Sequence, residues 1–132
     1  MAVSVVRLGT PRAPGEGLRL GTVRRPPRGV KKGDFAKRDY YDLWLPMLSP
    51  SQMLVSSAMS QAWTQVRWRK FARQYRAEMS RPEPKQLIEL LARLSHQLDF
   101  AVGCYCEDEQ RCHRSVLKAL LGEQGALIRQ AG

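Results

Sequence analysis

The stretch DFAVGCYCEDEQRCHRS, residues 99–115, decides how the rest of the sequence is interpreted. Its first part, Asp99 to Cys104, is a short and mostly apolar run with the β-branched Val102, which is typical of a buried central strand. A helix is predicted to begin near Cys112 and to run to about Leu121, with Gly122 ending it. A buried strand followed by a loop and a helix is the building unit of a parallel α/β sheet.

Two further strands are predicted near the N-terminus. Val3 to Leu8 and Leu18 to Val23 are rich in β-branched residues and alternate loosely, and a segment rich in proline and glycine separates them. The next stretch, Pro26 to Lys32, cannot be helical, because consecutive prolines lack backbone donors and fix φ. Its basic residues are therefore expected on a shaped loop.

Three helices are predicted in the middle of the chain. Residues 49–52 have the spacing of a capping box and predict a helix over about 51–59. Apolar residues at three- and four-residue steps predict a second helix over about 64–79, and a further capping-box pattern at 80–83 opens a third. The predicted apolar face of the third helix consists of Leu87, Leu90, Leu91, Leu94 and Leu98.

The order strand, strand, three helices, strand, helix predicts the fold class. We expect a small single-domain α/β protein in a Rossmann-like three-layer arrangement, with a mostly parallel sheet flanked by helices. One domain is predicted over 1–132, with its core at about 5–121 and a short C-terminal tail at 122–132. The loop between the last strand and the last helix would lie at the active edge of the sheet.

Composition restricts the class of protein. With 43% hydrophobic residues and no apolar run approaching the ~18 residues of a membrane span, no membrane association is expected. Met1 to Gly9 shows neither a charged nor an apolar signal-peptide region, so a cytoplasmic location is predicted. In that reducing setting the three cysteines are expected as thiols or metal ligands rather than structural disulfides.

The net charge of +10 predicts a polyanionic partner, such as a nucleotide phosphate, a nucleic acid or an acidic protein. Two segments concentrate the positive charge. Residues 24–38 hold seven basic side chains against Asp34 alone, and residues 67–81 hold six against Glu78 alone. The second segment is equally consistent with a solvated basic helix face.

The cluster after the last predicted strand contains the candidate catalytic residues. Cys104 and Cys112 would lie beside the N-terminus of a helix, which favours thiolates and attracts anions, and His113 would act as a base or proton carrier. The candidate anion-binding residues are Arg24, Arg28, Lys31, Lys32 and Arg114. The loop-borne arginines reach the cysteines only if the second and last strands are close together in the sheet.

Other interpretations of the cluster stay open. Cys104, Cys106, Cys112 and His113 have the right ligand types for zinc, although four ligands within ten residues lack the usual distant second pair. A purely structural role is a further alternative. The phosphatase pattern of Cys, five residues and Arg is absent, because Gln110 stands six positions after Cys104.

The same residues resemble a known family. Cys104 and Cys112-His113-Arg114 after an apolar strand, the loop at 24–32 and the helix at 71–79 look like the domain-of-unknown-function 488 family (DUF488), its YeaO-like branch included. The likeness covers about Val5 to Leu121 and implies a small intracellular bacterial α/β domain without an established activity. Cys106 departs from the family pattern, since an acidic residue often stands there.

Within the proline-containing loop the chain also departs from the YeaO-like branch. It has Val23, Arg25 and Pro26 where that branch has Asp, Leu and Trp, so substrate contacts by those residues cannot be transferred.

The leading prediction is a small enzyme or ligand-binding domain for an anionic, phosphorylated or nucleotide-like substrate, with no cofactor. The sequence leaves open whether the protein is an enzyme and what its oligomeric state is. One alternative is a non-enzymatic module that binds nucleic acid or an acidic partner through the basic segments. A structural zinc module is another.

Overall fold

The computed structural model describes residues 1–130. These residues contain a parallel sheet of four strands. The strands are β1 (Val3–Arg7), β2 (Leu18–Gly21), β3 (Leu43–Trp44) and β4 (Phe100–Cys104). Their order across the sheet is β1-β4-β2-β3, so the last strand lies between the first two. The register pairs Arg7 with Cys104 and Gly21 with Gly103. The predicted α/β class with a parallel sheet is confirmed.

Four α-helices contribute to one apolar core on a single face of the sheet. They are α1 (Gln52–Met59), α2 (Gln65–Met79), α3 (Pro82–Leu94) and α4 (His113–Glu123). From the sheet, Leu20, Phe100 and Val102 pack against helix residues such as Tyr75 and Leu117. This burial of apolar side chains is the main favourable contribution to folding.

The other face of the sheet is covered by loops and a short 3-10 helix, Lys32–Asp34. Tyr41 lies against Gly21, where a side chain on the strand would collide with the tyrosine ring. Leu8 and Val23 belong to the same second apolar cluster, which also contains Cys104 and Cys112. The second apolar cluster therefore reaches the carboxyl end of β4 and the start of α4.

Helix starts differ from the capping-box predictions. The N-cap of α1 is Ser51, whose hydroxyl accepts a hydrogen bond from the Leu54 amide at 3.2 Å, and not Ser49. At α3 the predicted cap Ser80 instead donates its hydroxyl to the Arg76 carbonyl, at the end of the preceding helix. Arg81 is the N-cap there without a side-chain bond, because Pro82 already provides the first helical φ.

Helix faces and ends differ as well. Leu90 is 53% exposed, and Leu98 lies beyond the end of α3 and is also exposed, so neither belongs to the core as predicted. The helix α4 continues through Gly122 to Glu123, and the chain turns at Gly125, which has a φ of +89°. Glycine typically ends a helix by adopting a positive φ, and here Gly125 has that conformation while Gly122 does not.

Two features of the sheet were not predicted from the sequence. The strand β3 has only two residues, both exposed, and so shows no period that a sequence could reveal. Within the predicted tail, Ile128 forms a parallel bridge with Val3 and packs against the main core. Residues 131–132 of that tail lie outside the described residues.

Among residues 1–130, every helix is too short or too polar to cross a membrane.

Candidate functional site

The site lies where the parallel strands end. Because β2 and β4 are hydrogen-bonded neighbours, the loops that follow them leave the sheet side by side. Thr22, directly after β2, donates both its amide (3.0 Å) and its hydroxyl (2.9 Å) to the carbonyl of Gly103 on β4. This juxtaposition was the condition under which the arginine loop and the cysteines form one site.

A pocket of about 710 Å³ opens at this edge, in the size range of small-molecule sites. The loop after β2 contributes residues 23–28, and the loop after β4 contributes Cys104, Tyr105 and Cys106. The start of α4 adds Arg111, Cys112 and His113. The carboxyl edge of a parallel sheet is the usual position of a ligand site in open α/β folds.

The rim of the pocket is strongly basic. Its arginines are Arg7, Arg24, Arg25, Arg28 and Arg111. Among the described residues that line the pocket there is no Asp or Glu. Outside the lining, the Glu107 carboxylate lies 3.6 Å from the Arg7 guanidinium. A concave surface of this charge attracts anions.

The rim arginines are held to different degrees. Arg24 donates to the carbonyls of Pro50 (3.1 Å) and Pro46 (3.3 Å), which ties the loop after β2 to the entry of α1. Arg25 donates to Gln52 at 3.2 Å. Arg28 is exposed and makes no hydrogen bond to residues 1–130, so its five donors are available to a ligand.

The opposite wall of the pocket is apolar and partly aromatic. It includes Val55 and Met59 of α1, Trp63, and Phe71 of α2. The Trp63 and Phe71 rings meet edge to face, with their centroids 5.5 Å apart. An apolar wall facing a basic rim fits a ligand that has a flat organic part and an anionic group.

Three cysteines meet at the floor of the pocket. The sulfur atoms of Cys104, Cys106 and Cys112 all lie within 4.8 Å of one another, and those of Cys104 and Cys106 are 3.8 Å apart. Cys104 and Cys112 are buried and Cys106 is exposed, and all three are free thiols. The two cysteines predicted as reactive are therefore the two that the protein covers.

The thiol pKa values are strongly coupled by these contacts. Hydrogen bonds from Cys104 and Cys112 lower the pKa of Cys106, and the positive charge of Arg114 acts in the same direction. The pKa of Cys104 is raised to about 11, chiefly because its thiol donates to Cys106. The pKa of Cys112 is raised as well, chiefly by its hydrogen bond with Cys104 and then by the one with Cys106. Negative charge in the cluster thus concentrates on the exposed sulfur.

His113 is buried at the first position of α4. Its Nε2 lies 2.6 Å from the carbonyl oxygen of Thr22, and a carbonyl only accepts, so Nε2 carries the proton. Burial lowers the pKa of His113 to about 4, so the imidazole is neutral at physiological pH. The Nδ1 lone pair faces the cluster, 3.9 Å from the Cys112 sulfur.

Arg114 and the two lysines lie elsewhere than the arginine rim. The buried Arg114 guanidinium donates to the carbonyls of Cys106 (2.7 Å) and Glu107 (3.4 Å), which fixes the turn that carries the exposed thiol. Lys31 and Lys32 are exposed and are not among the described residues that line the pocket. Of the five predicted anion ligands, Arg24 and Arg28 line the pocket, while Arg114 lies beside the cysteines with its guanidinium bonded to backbone carbonyls.

The predicted anion ligands did not include three of the rim arginines: Arg25, which lies on the predicted loop, and Arg7 and Arg111, which lie outside it. Arg7 is the last residue of β1, and Arg111 lies just before α4. The end of β1 and the start of α4 are both at the site. The rule that parallel strands end at one edge would have placed Arg7 there, because its strand position was predicted.

The second basic segment lies on α2 and is partly engaged within the chain. Arg67 donates to the carbonyls of Gln61 and Ala62 at 2.7 Å and stacks over Trp63. Arg76 forms an ion pair with Glu123 at 2.7 Å. This leaves a smaller exposed basic face than the sequence suggested.

A family model described as the active DUF488-N3 subclade matches residues 3–125. The chain belongs to the DUF488 family. The resemblance to the DUF488 family is thereby confirmed, and the matched region contains every residue of the pocket of this DUF488 protein. Neither the curated proteins nor the solved structures contain a match to it.

Proposed function

We propose that this DUF488 protein binds a small anionic, nucleotide-like ligand in the pocket and acts on it as an enzyme. One observation carries the ligand class: the loops after β2 and β4 form a single pocket with five arginines and no lining carboxylate among the described residues. The apolar wall supplies a surface for a base or another flat group. The description of the matched subclade as active supports the enzymatic part.

Arg28 is the side chain that we assign to direct anion contact. It lines the pocket, is exposed and makes no hydrogen bond to residues 1–130, whereas the neighbouring Arg24 already donates to two carbonyls. A planar guanidinium binds a phosphate through two parallel hydrogen bonds. Arg24 and Arg25 would then fix the loop and add positive charge.

We predict that Arg28→Gln weakens binding of ADP and of pyrophosphate by about tenfold or more, since one charge-assisted hydrogen bond contributes about 1.5–3 kcal/mol. Adenosine, which lacks the phosphates, should bind the unaltered protein at least about tenfold more weakly than ADP. Titration calorimetry in low-salt buffer measures these affinities.

The matched control is Arg73→Gln. Arg73 is exposed on α2 and is not among the pocket residues, so this variant removes the same charge elsewhere. Its effect on ADP affinity should be below about twofold, because solvent and salt screen a distant exposed charge. Equal losses in both variants, or no binding of ADP and pyrophosphate, would refute the pocket proposal. Oligonucleotide binding that falls steeply with salt and with Arg73→Gln would favour the nucleic-acid alternative.

A further inference from the structure

The spacing of the three sulfurs matches the edge of a metal coordination tetrahedron. Zinc bonds to sulfur are about 2.3 Å long, which places two sulfurs of a tetrahedral site roughly 3.8 Å apart. The Cys104 and Cys106 sulfurs are 3.8 Å apart, and the Cys112 sulfur lies within 4.8 Å of both. The separations of the Cys112 sulfur are thus at most about 1 Å longer than this tetrahedral edge.

His113 offers a fourth donor atom, because the hydrogen bond of its Nε2 leaves Nδ1 without a proton. Its Nε2 proton is given to the Thr22 carbonyl at 2.6 Å, which leaves a free lone pair on Nδ1. Nδ1 is 3.9 Å from the Cys112 sulfur, close to the roughly 3.6 Å expected between nitrogen and sulfur in a tetrahedral zinc site. Histidine ligands commonly donate their second nitrogen to a backbone carbonyl in this way.

Charge balance also fits a cation at this point. Three thiolates and one divalent ion sum to one negative charge, and buried charges require a partner. Arg114 is buried beside the cluster, and its Nε has no hydrogen-bond partner among the described residues. Its guanidinium donates to the backbone carbonyl of Cys106 at 2.7 Å, so a compensating positive charge is fixed at the backbone of one of the three cysteines.

The close spacing in sequence is no obstacle once the fold is known. Cys104 ends β4, Cys106 lies in the loop, and Cys112 is the N-cap of α4. The loop returns to the strand end, so residues eight positions apart in sequence become neighbours. A distant second pair of ligands is then unnecessary.

We propose that Cys104, Cys106 and Cys112 bind one zinc ion through their three sulfurs, and that Nδ1 of His113, which lies outside the group within 4.8 Å, moves toward the ion as the fourth ligand. Thiolate and imidazole donors select zinc and similar ions over magnesium or calcium. The ion would lie at the floor of the pocket, with the exposed Cys106 on its open side. This site stands on its own geometry and does not depend on the identity of the ligand above it.

The test is metal content and cobalt absorption of the full chain. Protein produced with added zinc and purified without chelator should contain about one equivalent of zinc. After removal of the metal, Co²⁺ should give the visible bands of tetrahedral coordination and a near-ultraviolet sulfur-to-metal band. Below about a tenth of an equivalent of zinc, together with no cobalt bands, would overturn the proposal.

Variants separate the ligand assignment from misfolding. Cys106→Ser changes an exposed side chain, and it should weaken zinc binding beyond the 10–100-fold caused by losing a supporting partner. His96→Gln replaces the other histidine, whose Nε2 meets the Gly125 carbonyl, and should keep one equivalent. Unchanged affinity in Cys106→Ser would contradict the assignment. The arginine variants above report ligand binding alone, so failure of one proposal is distinguishable from failure of the other.

Discussion

Arg19→Met is expected to destabilise the protein by about 3–5 kcal/mol, because it leaves a buried carboxylate without its partner. Arg19 is 1% exposed on β2, and its Nε lies 2.6 Å from Oε2 of Glu16, which is 3% exposed. The guanidinium also donates to the carbonyls of Thr10 (2.8 Å) and Asp39 (2.6 Å). The Arg19 side chain thus links the loops that contain Thr10 and Asp39 to β2.

Denaturant unfolding followed by circular dichroism measures this loss. Arg76→Met is the control, since it breaks an exposed ion pair with Glu123 and should cost no more than about 1 kcal/mol. The double variant with Glu16→Gln should recover part of the loss by removing the uncompensated charge. A loss in Arg19→Met no larger than in Arg76→Met would show that the buried pair does not hold the loops.

Gly17→Ala is expected to cost about 2–4 kcal/mol, from a left-handed backbone and a collision together. Gly17 has a φ of +82°, and an added Cβ would lie 2.0 Å from the Asp99 carbonyl oxygen. That carbonyl belongs to the backbone just before β4, beside which β2 begins. Neither strand can shift without losing register, so the clash is not relieved cheaply.

Gly15→Ala is the matched control for Gly17→Ala. Gly15 has a similar φ of +75° but nothing within 4 Å of an added Cβ. Its cost should be only about 1–2 kcal/mol from the backbone conformation. Thermal or denaturant unfolding of both variants isolates the collision as their difference. Equal stabilities would mean that β2 and β4 do not approach each other as closely as described.

The sequence predicted the strand-to-helix unit at the site because both signals there are local. The apolar run ending at Cys104 and the helix start near Cys112 are each visible within a few residues. The pairing of β2 with β4 is a contact between residues about 80 positions apart, and no single-sequence pattern encodes it. The prediction of one site for arginines and cysteines therefore depended on β2 lying beside β4, which the structure shows.

Buried charge was the least predictable feature. In β2 the polar Arg19 is buried while Leu18 is 59% exposed, the reverse of what alternation predicts. The reason is tertiary, since Glu16 and the loop carbonyls surround the guanidinium. Arg114 is a second case, because its hydrogen bonds to the carbonyls of residues 106 and 107 keep it from the rim that its charge suggested.

In the proposed function, the rim arginines and the cysteine loop bind one anionic ligand together. Nuclear magnetic resonance during titration with ADP tests it most directly, through the arginine Nε–H signals and the backbone amides. We expect the signals of Arg25 and Arg28 and the amides of 104–106 to shift together and saturate at one equivalent, while those of Arg69 and Arg73 on α2 stay unchanged. Shifts confined to α2, or none at residues 24–28, would contradict it.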